Sequence, residues 1–218
     1  MISRYFKFCS SVALLGLMLG FSPSAPAQGG KVGFFLFVNA VGLASDTVLA
    51  MDGKTLRGFK IGEATGGLGV LAGPHTLTAS NSDCKPVTLA LQVDPTASPI
   101  VIVYAVEVRA PGGKIAHELR FFARGNQRSA TTKVYSAIYA GKNPGVSVSF
   151  NGQTQTVQAL REASVAGSGS LTIKSGNDVI CNFSPDEAGN YVAVLYDKPD
   201  SKVGAVVVRD VIHHSGGG

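Results

Sequence analysis

The chain has 218 residues, a formal net charge of +5, 27 glycines and no tryptophan. Only 15% of the residues are charged, and this small basic surplus argues against a nucleic-acid-binding protein, which needs a strongly basic face. The glycine-rich, weakly charged composition favours an all-β protein.

The first segment is typical of a secretory signal peptide, which we predict over residues 1–27. Arg4 and Lys7 give it a basic start, and Val12–Phe21 is an apolar stretch. A membrane-spanning helix needs about 20 apolar residues, so an uncleaved anchor is the less favoured interpretation. The tripeptide Ala-Pro-Ala that ends at Ala27 fits the cleavage rule. We expect a periplasmic or secreted protein whose mature chain has no membrane span.

The first half of the mature chain reads as a series of short strands. Pro99–Val108 is the longest apolar run outside the N-terminus, and its β-branched residues predict a strand buried on both faces. Asp52-Gly53 is typical of a type I′ hairpin turn, in which both central residues have positive φ. Turns are also predicted at residues 72–74 and 81–85. The predicted strands are Lys31–Asn39, Asp46–Met51, Lys54–Phe59, Thr65–Leu71, His75–Ser80, Val87–Val93, Pro99–Val108 and Ile115–Phe122.

The same order of elements returns about ninety residues later. Tyr191–Tyr196 is a weaker copy of Pro99–Val108, and Asn151-Gly152 repeats the hairpin signal. Thr156–Ala166 is the best helical candidate, but its position in the repeat indicates loop and strand. The predicted strands are Lys133–Tyr139, Gly145–Phe150, Gln153–Val157, Ser168–Lys174, Asp178–Phe183, Tyr191–Tyr196 and Ala205–Val211.

The repeat predicts two tandem β-sandwich domains after the cleaved signal peptide, since about 90 residues is an ordinary size for a β-sandwich. We expect the first domain at residues 31–122 and the second at residues 133–212. Residues 123–132 are expected to form a polar, flexible linker, and residues 213–218 a disordered tail.

The turn motifs of Phe35–Leu77 resemble a bacterial immunoglobulin-like domain of unknown function. The matching residues are Val38-Asn39-Ala40, Asp52-Gly53-Lys54, Leu68, Ala72-Gly73 and Leu77. A signal peptide followed by two such halves is similar in layout to the periplasmic alginate O-acetylation accessory family. The resemblance implies two immunoglobulin-like β-sandwiches that act beside the acetylation proteins of exopolysaccharide synthesis. It supplies no catalytic residue, and the second half departs from the motif at Asn151-Gly152-Gln153.

Arg120, Arg124 and Arg128 form the only local excess of charge and are the candidate partner-binding residues. Guanidinium groups bind carboxylates in a bidentate manner, so an acidic polysaccharide or an acidic face of an envelope protein is the expected partner. The alternative interpretation is a set of ordinary solvated side chains at a strand end and linker.

Cys84 and Cys181 are the two cysteines that remain after signal cleavage. Disulfides persist in exported proteins, so these residues are candidates for one bond between the two domains. The alternative is two separate thiols, because the cysteines do not fall at equivalent points of the repeat.

No residue pattern declares a catalytic or metal site. His75 and His117 are interpreted as solvated strand histidines, and no G-x-S-x-G motif accompanies them. His213-His214 with Asp210 could suggest a metal site, but neighbouring residues on an extended chain point to opposite sides. We therefore expect no enzyme activity, no metal and no cofactor.

The expected function is that of an exported, non-catalytic binding or adaptor protein of the bacterial cell envelope. The resemblance narrows this to an accessory factor in alginate-like exopolysaccharide O-acetylation. A surface adhesin or structural module is the alternative of the same kind. An esterase or acyl-transfer enzyme is the alternative from a different class.

Overall fold

The structure is a computed structural model that describes residues 30–125, 134–143, 146–150, 152–166, 169–185 and 189–210. These residues form sixteen strands and no helix, so the predicted all-β class is confirmed. None of them belongs to a helix of the length and hydrophobicity that crossing a membrane requires. The predicted signal peptide with its cleavage after Ala27, the residue Arg128 and the predicted tail at 213–218 lie outside the described residues.

Residues 30–125, here called the N-terminal half, form one eight-stranded sheet. Its strands are β1 (Val32–Ala40), β2 (Thr47–Met51), β3 (Lys54–Phe59), β4 (Leu68–Leu71), β5 (Gly73–Asn81), β6 (Cys84–Val93), β7 (Ile100–Arg109) and β8 (Ile115–Arg124). The strand order is β3-β2-β5-β6-β8-β7-β1-β4. The pairs β1–β7 and β6–β8 are parallel and the other pairs are antiparallel.

The described residues between 134 and 210, here called the C-terminal half, form two four-stranded sheets. Their strands are β9 (Val134–Tyr139), β10 (Val146–Phe150), β11 (Gln153–Thr156), β12 (Glu162–Ala166), β13 (Leu171–Ser175), β14 (Asp178–Phe183), β15 (Asn190–Asp197) and β16 (Val203–Asp210). One sheet has the order β11-β10-β13-β14 and the other β12-β9-β15-β16. The best helical candidate of the sequence therefore forms loop and strand, as its place in the repeat predicts.

The two halves repeat one topology, which confirms the predicted duplication of element order. When eight is added to each strand number, the order of the N-terminal sheet becomes β11-β10-β13-β14-β16-β15-β9-β12. Its first four strands are one sheet of the C-terminal half, and its last four are the other sheet read in reverse. Backbone hydrogen bonds show which residues of the two halves correspond. The Gly62 N–H donates to Asn39 O in the N-terminal half, and the Leu160 N–H donates to Tyr139 O in the C-terminal half. The halves differ where β6 pairs with β8, since β14 and β16 belong to separate sheets.

Two predicted turns are wider than the turns in the structure. Gly73, inside the predicted turn at 72–74, is the first residue of β5 and pairs with Val93 of β6. Its φ of 143° bends the backbone there without ending the pairing. Cys84 pairs with Asn81, so β6 begins inside the predicted turn at 81–85. At the predicted type I′ turn, Asp52 and Gly53 have φ values of 49° and 77°, as that turn requires.

The predicted linker at 123–132 begins too early. Strand β8 continues through Arg124, because it pairs with β7 along the whole length of that strand and Ile100 lies opposite Arg124. The rest of the predicted linker, from residue 126 on, lies outside the described residues. The first two residues of the predicted linker, Ala123 and Arg124, therefore belong to a paired strand of the N-terminal half.

Each half encloses its own apolar core between inward-facing strands. The N-terminal core includes Phe35, Phe37 and Leu77, and the C-terminal core includes Tyr135 and Ile173, all of them fully or almost fully buried. Burying an aliphatic or aromatic side chain of this size contributes about 1.5–3 kcal/mol. Alternation along the strands therefore explains one buried face of each sheet.

The second apolar face of the central strands packs between the halves, in a cluster here called the inter-half interface. Each half contributes six buried residues to it: Leu36, Val38, Ala40, Ile100, Ile102 and Tyr104 from one, and Ile138, Ala140, Val192, Val194, Tyr196 and Val208 from the other. In β7, Val101 and Val103 face the N-terminal core while Ile100 and Ile102 face this interface. The strand is buried on both faces, as predicted, because a second sheet covers it.

Candidate functional site

An open cleft with a volume of about 910 Å³ lies at one end of the junction between the halves. Its walls come from the ends of β7 and β8 and from the loops that follow β1, β9, β11 and β15. The side chains that could contact a ligand include Tyr104, Glu107, His117, Lys142, Asp197 and Lys198. Both halves contribute lining residues, so the cleft depends on how the halves pack.

Asp197, the last residue of β15, organises one wall of the cleft. Its carboxylate accepts a hydrogen bond from the Tyr139 hydroxyl at 2.6 Å and from the Lys142 backbone N–H at 2.7 Å. Burial and this bond to Asp197 both raise the pKa of Tyr139 well above its ordinary value, so the phenol keeps its proton. A Cβ at Gly141 would come within 2.8 Å of the Asp197 carboxylate, which explains the glycine there.

Charges of both signs surround the mouth of the cleft. Lys142 of the C-terminal half pairs with Glu107 of the N-terminal half, and this hydrogen bond holds the Glu107 pKa below its ordinary value. In the part of the chain that the structure describes, Lys198 has no carboxylate partner and His117 has no hydrogen-bond partner. The formal charges of the lining balance, because Lys142 and Lys198 are matched in number by Glu107 and Asp197.

Ser201 lines the same cleft as His117, but no hydrogen bond joins the two side chains in the described ranges. Ser201 has a positive φ of 61°, which the hairpin explains without a catalytic role. Its N–H donates to Lys198 O, and Lys198 N–H donates to Lys202 O, as in a type I turn followed by a left-handed residue. Gly113 occupies the same position between β7 and β8, with φ of 78°.

We expect Ser201→Gly to stabilise the protein by about 1 kcal/mol, because glycine adopts the left-handed conformation without steric cost. Urea unfolding checks the change. The matched variant Gly113→Ser should lose stability by a similar amount at the counterpart position. Loss of stability in Ser201→Gly would show that the serine side chain makes a contact worth more than this strain.

His75 is held between two acceptors and is not the solvated histidine that the sequence predicts. Its side chain is 15% exposed, with Nδ1 2.7 Å from an Asp52 carboxylate oxygen and Nε2 2.7 Å from Leu71 O. Two acceptors favour the doubly protonated ring, and the bond to Asp52 raises the His75 pKa. The Asp52 pKa is lowered, mainly by the hydrogen bond from the Thr76 N–H and secondly by the hydrogen bond with His75.

The stabilisation from this ion pair should depend on pH in a defined window. It is complete between pH 3.8 and 6.5, the ordinary pKa values of the two groups. It is lost as pH rises through the raised pKa of His75, and as pH falls through the lowered pKa of Asp52. We expect the stability difference between the wild type and Asp52→Asn, measured by urea unfolding, to be largest inside this window. A difference that is independent of pH would contradict the pairing.

Arg124 is buried between the halves. Its side chain is 6% exposed, and it donates to Glu162 at 3.0 and 3.3 Å, to Asp210 at 3.1 Å and to Ser136 at 3.2 Å. Burial works to raise the Glu162 pKa, but the bond and charge of Arg124 outweigh it and the pKa lies below its ordinary value. Because this guanidinium is occupied inside the protein, we withdraw Arg124 as a candidate for an external partner.

The other arginines differ in their surroundings. The Arg120 side chain is 53% exposed and lies 3.8 Å from Glu118, an exposed pair of the kind that contributes little to stability. Arg128 is outside the described residues. Of the two predicted arginines that the structure describes, Arg124 is buried and Arg120 is exposed, so these two do not form one surface site.

Cys84 and Cys181 are free thiols in the structure, which agrees with the alternative of two separate thiols and not with the candidate disulfide. Cys84 packs against the N-terminal core and Cys181 against the C-terminal core, on opposite sides of the interface. Burial raises the pKa of both thiols and thereby lowers the fraction of reactive thiolate.

Asp210, the acidic residue of the metal pattern considered in the sequence, is bound to Arg124. His213 and His214 lie outside the described residues. Across the residues that are described, no group of three or more His, Cys, Asp or Glu side chains is placed to hold a metal ion.

A scan against protein-family models and a search of the curated proteins found no match to this chain.

Sequence reasoning did not find the cleft residues Glu107, Lys142 and Lys198. Each belongs to a turn or a strand end that has no motif of its own. The available signal was indirect. Gly141 lies two residues after the end of β9, next to Lys142, and a close approach of two segments of the chain needs a small residue there.

Proposed function

We propose that this chain is an exported, non-catalytic binding or adaptor protein of the bacterial cell envelope, which holds its partner in the cleft between the two halves. The observation that carries the proposal is the cleft itself, an open pocket of about 910 Å³ with a mainly apolar lining and a few converging charges. Pockets of this size and character are the usual sites of ligand binding.

The packing of the halves supports this proposal. Twelve buried side chains and the Arg124 cluster fix the two walls of the cleft relative to each other. A binding site with fixed walls loses little conformational entropy when its ligand enters. The more specific role, an accessory factor in exopolysaccharide O-acetylation, rests on the resemblance of the turn motifs at Phe35–Leu77.

Two observations favour binding over hydrolysis. Both ring nitrogens of His75 are occupied by Asp52 and Leu71 O, so neither is free to serve as a general base. The positive φ of Ser201 follows from its hairpin, as it does for Gly113. A serine-reactive fluorophosphonate should therefore not label the folded protein, and labelling at Ser201 would contradict the non-catalytic role.

Photo-crosslinking in the native envelope tests the location of binding. Asn143→p-benzoylphenylalanine places the reactive group at the cleft, and Gln155→p-benzoylphenylalanine places it on β11, in the other sheet of the same half. We expect the cleft position to give a discrete adduct and the β11 position to give none. The same adduct from β11, with nothing from the cleft, would overturn the proposed site.

A further inference from the structure

The His75 side chain lies where the edge strand β4 meets β5. Strand β4 is at the end of the sheet, and Val32 of β1 lies opposite its last residue, Leu71. The Ala72 N–H donates to Lys31 O at 2.7 Å, so in this antiparallel pair the backbone groups of Leu71 itself point away from β1. The Leu71 carbonyl, at the free edge of β4, lies 2.7 Å from Nε2 of His75. His75 therefore joins the edge of β4 to β5.

The other nitrogen of the ring contacts a more rigid part of the N-terminal half. Nδ1 lies 2.7 Å from one carboxylate oxygen of Asp52, and the second oxygen accepts the Thr76 N–H at 2.8 Å. The Asp52 N–H also donates to Thr76 O, so backbone and side chain together fix the turn between β2 and β3 to β5. Leu71, in contrast, is 60% exposed and ends a strand of four residues. When one contact of the ring must change, we expect the Leu71 end to move.

The number of protons on the ring decides whether both contacts can exist. The imidazolium ring has two N–H donors, one for Asp52 and one for Leu71 O, whereas the neutral ring has only one. A charged acceptor holds the remaining proton more strongly than a carbonyl does, so the neutral ring keeps its proton on Nδ1. The lone pair of Nε2 then faces the lone pairs of Leu71 O, and the hydrogen bond to β4 is lost.

The surroundings of the ring leave Asp52 as the charged group that acts on His75. Lys54 of β3 acts on Asp52 and favours its ionised form, and the Lys31 side chain beside β4 is exposed. The residues of β5 and β6 that share the face of His75 are uncharged: Gly73, Leu77, Leu89, Leu91 and Val93.

We propose that His75 is a proton-dependent latch on the edge strand β4, closed when the ring carries two protons and open when it carries one. In the closed state the ring joins the turn at Asp52 to the end of β4. In the open state the Leu71 carbonyl turns away from Nε2 and the end of β4 loosens. Because the bond to Asp52 raises the pKa of His75, the latch is closed below that raised pKa and opens as pH rises through it. This inference is independent of the proposed binding function.

Two NMR measurements in one pH titration of the full mature chain test the latch. The nitrogen chemical shifts of the His75 ring report which nitrogen keeps its proton, and we expect Nδ1. The Ala72 N–H belongs to the same peptide group as Leu71 O, and its protection factor is corrected for the intrinsic pH dependence of exchange. We expect that factor to fall about tenfold with the midpoint of His75, because a hydrogen bond at the strand end is lost.

The Thr65 amide is the internal control, since it donates to Phe37 O elsewhere in the same half and should keep its protection. A neutral ring that is protonated on Nε2 would overturn the proposal. An Ala72 protection factor that does not follow the His75 titration, or that falls only together with that of Thr65, would overturn it as well.

Asp52→Asn reverses the expectation for the neutral ring. The asparagine oxygen still accepts the Thr76 N–H, and its amide donates to Nδ1, so the proton of the neutral ring lies on Nε2. The bond to Leu71 O then survives deprotonation, and we expect the Ala72 protection factor to be independent of pH in this variant. Lys54→Gln, a matched change of charge on the same hairpin, should retain the tenfold fall. A fall that persists in Asp52→Asn would show that the strand end opens for another reason and would overturn the latch.

Discussion

Replacing Arg124 with alanine is expected to lower the free energy of unfolding by about 3–5 kcal/mol, the cost of removing one member of a buried ion pair. Asp210 has a side chain that is 2% exposed, and Arg124 is its ion-pair partner across the interface. Glu162 would lose its bidentate partner as well. Urea unfolding at neutral pH measures the loss, and the effect should be the largest of any single arginine replacement in the described residues.

Arg120→Ala is the matched control on the same strand. Its side chain is exposed and its ion pair with Glu118 is long, so the expected loss is within about 0.5 kcal/mol. Equal losses in the two variants would contradict the buried cluster. A combined Arg124→Met, Glu162→Gln and Asp210→Asn variant removes all three charges and should recover part of the stability.

Gly62→Ala is expected to destabilise the protein by about 3 kcal/mol, since it combines backbone strain with a steric clash. Gly62 has a φ of 76°, and a Cβ there would overlap the Tyr196 hydroxyl and lie 2.7 Å from Cζ of that ring. Tyr196 is buried in the inter-half interface, so relief of the clash requires its ring to shift within that packed cluster. Thermal or urea unfolding measures the loss.

Gly53→Ala separates the two causes. Gly53 has a φ of 77° but no atom within 4 Å of an added Cβ, so this variant carries the backbone strain alone, about 1 kcal/mol. Tyr196→Phe, added to Gly62→Ala, removes the overlapping hydroxyl and should restore part of the difference. Equal losses in the two glycine variants would show that Tyr196 does not pack against Gly62.

The strands of this protein follow from local sequence patterns, which is why they could be predicted. Alternation of apolar residues marks the inward face of each strand, and the Asp52-Gly53 turn fixes its own hairpin through two positive φ angles. The repeat then identifies the strand at Glu162–Ala166 within a segment that could have been helical. The predicted boundaries of the turns were less accurate, because Gly73 and Cys84 are paired in strands although the residues around them are typical of turns.

The inter-half interface and the cleft could not be predicted, because they depend on residues far apart in the chain. Arg124 lies 38 residues from Glu162 and 86 residues from Asp210, so its pattern in the sequence is that of an exposed charge near a linker. The outward apolar residues Ile100 and Ile102 did signal a covering surface. The sequence alone could not show that the second half of the same chain provides it.

Native-state hydrogen exchange followed by mass spectrometry, at increasing urea concentrations below the unfolding midpoint, tests most directly whether the halves are one packed unit. If the interface holds them together, β1 and β7 should exchange with the same opening free energy as β9 and β15. Both sets should lose protection together in Gly62→Ala. Exchange of one half at a much lower free energy, with the other half unaffected, would contradict the fixed packing on which the cleft depends.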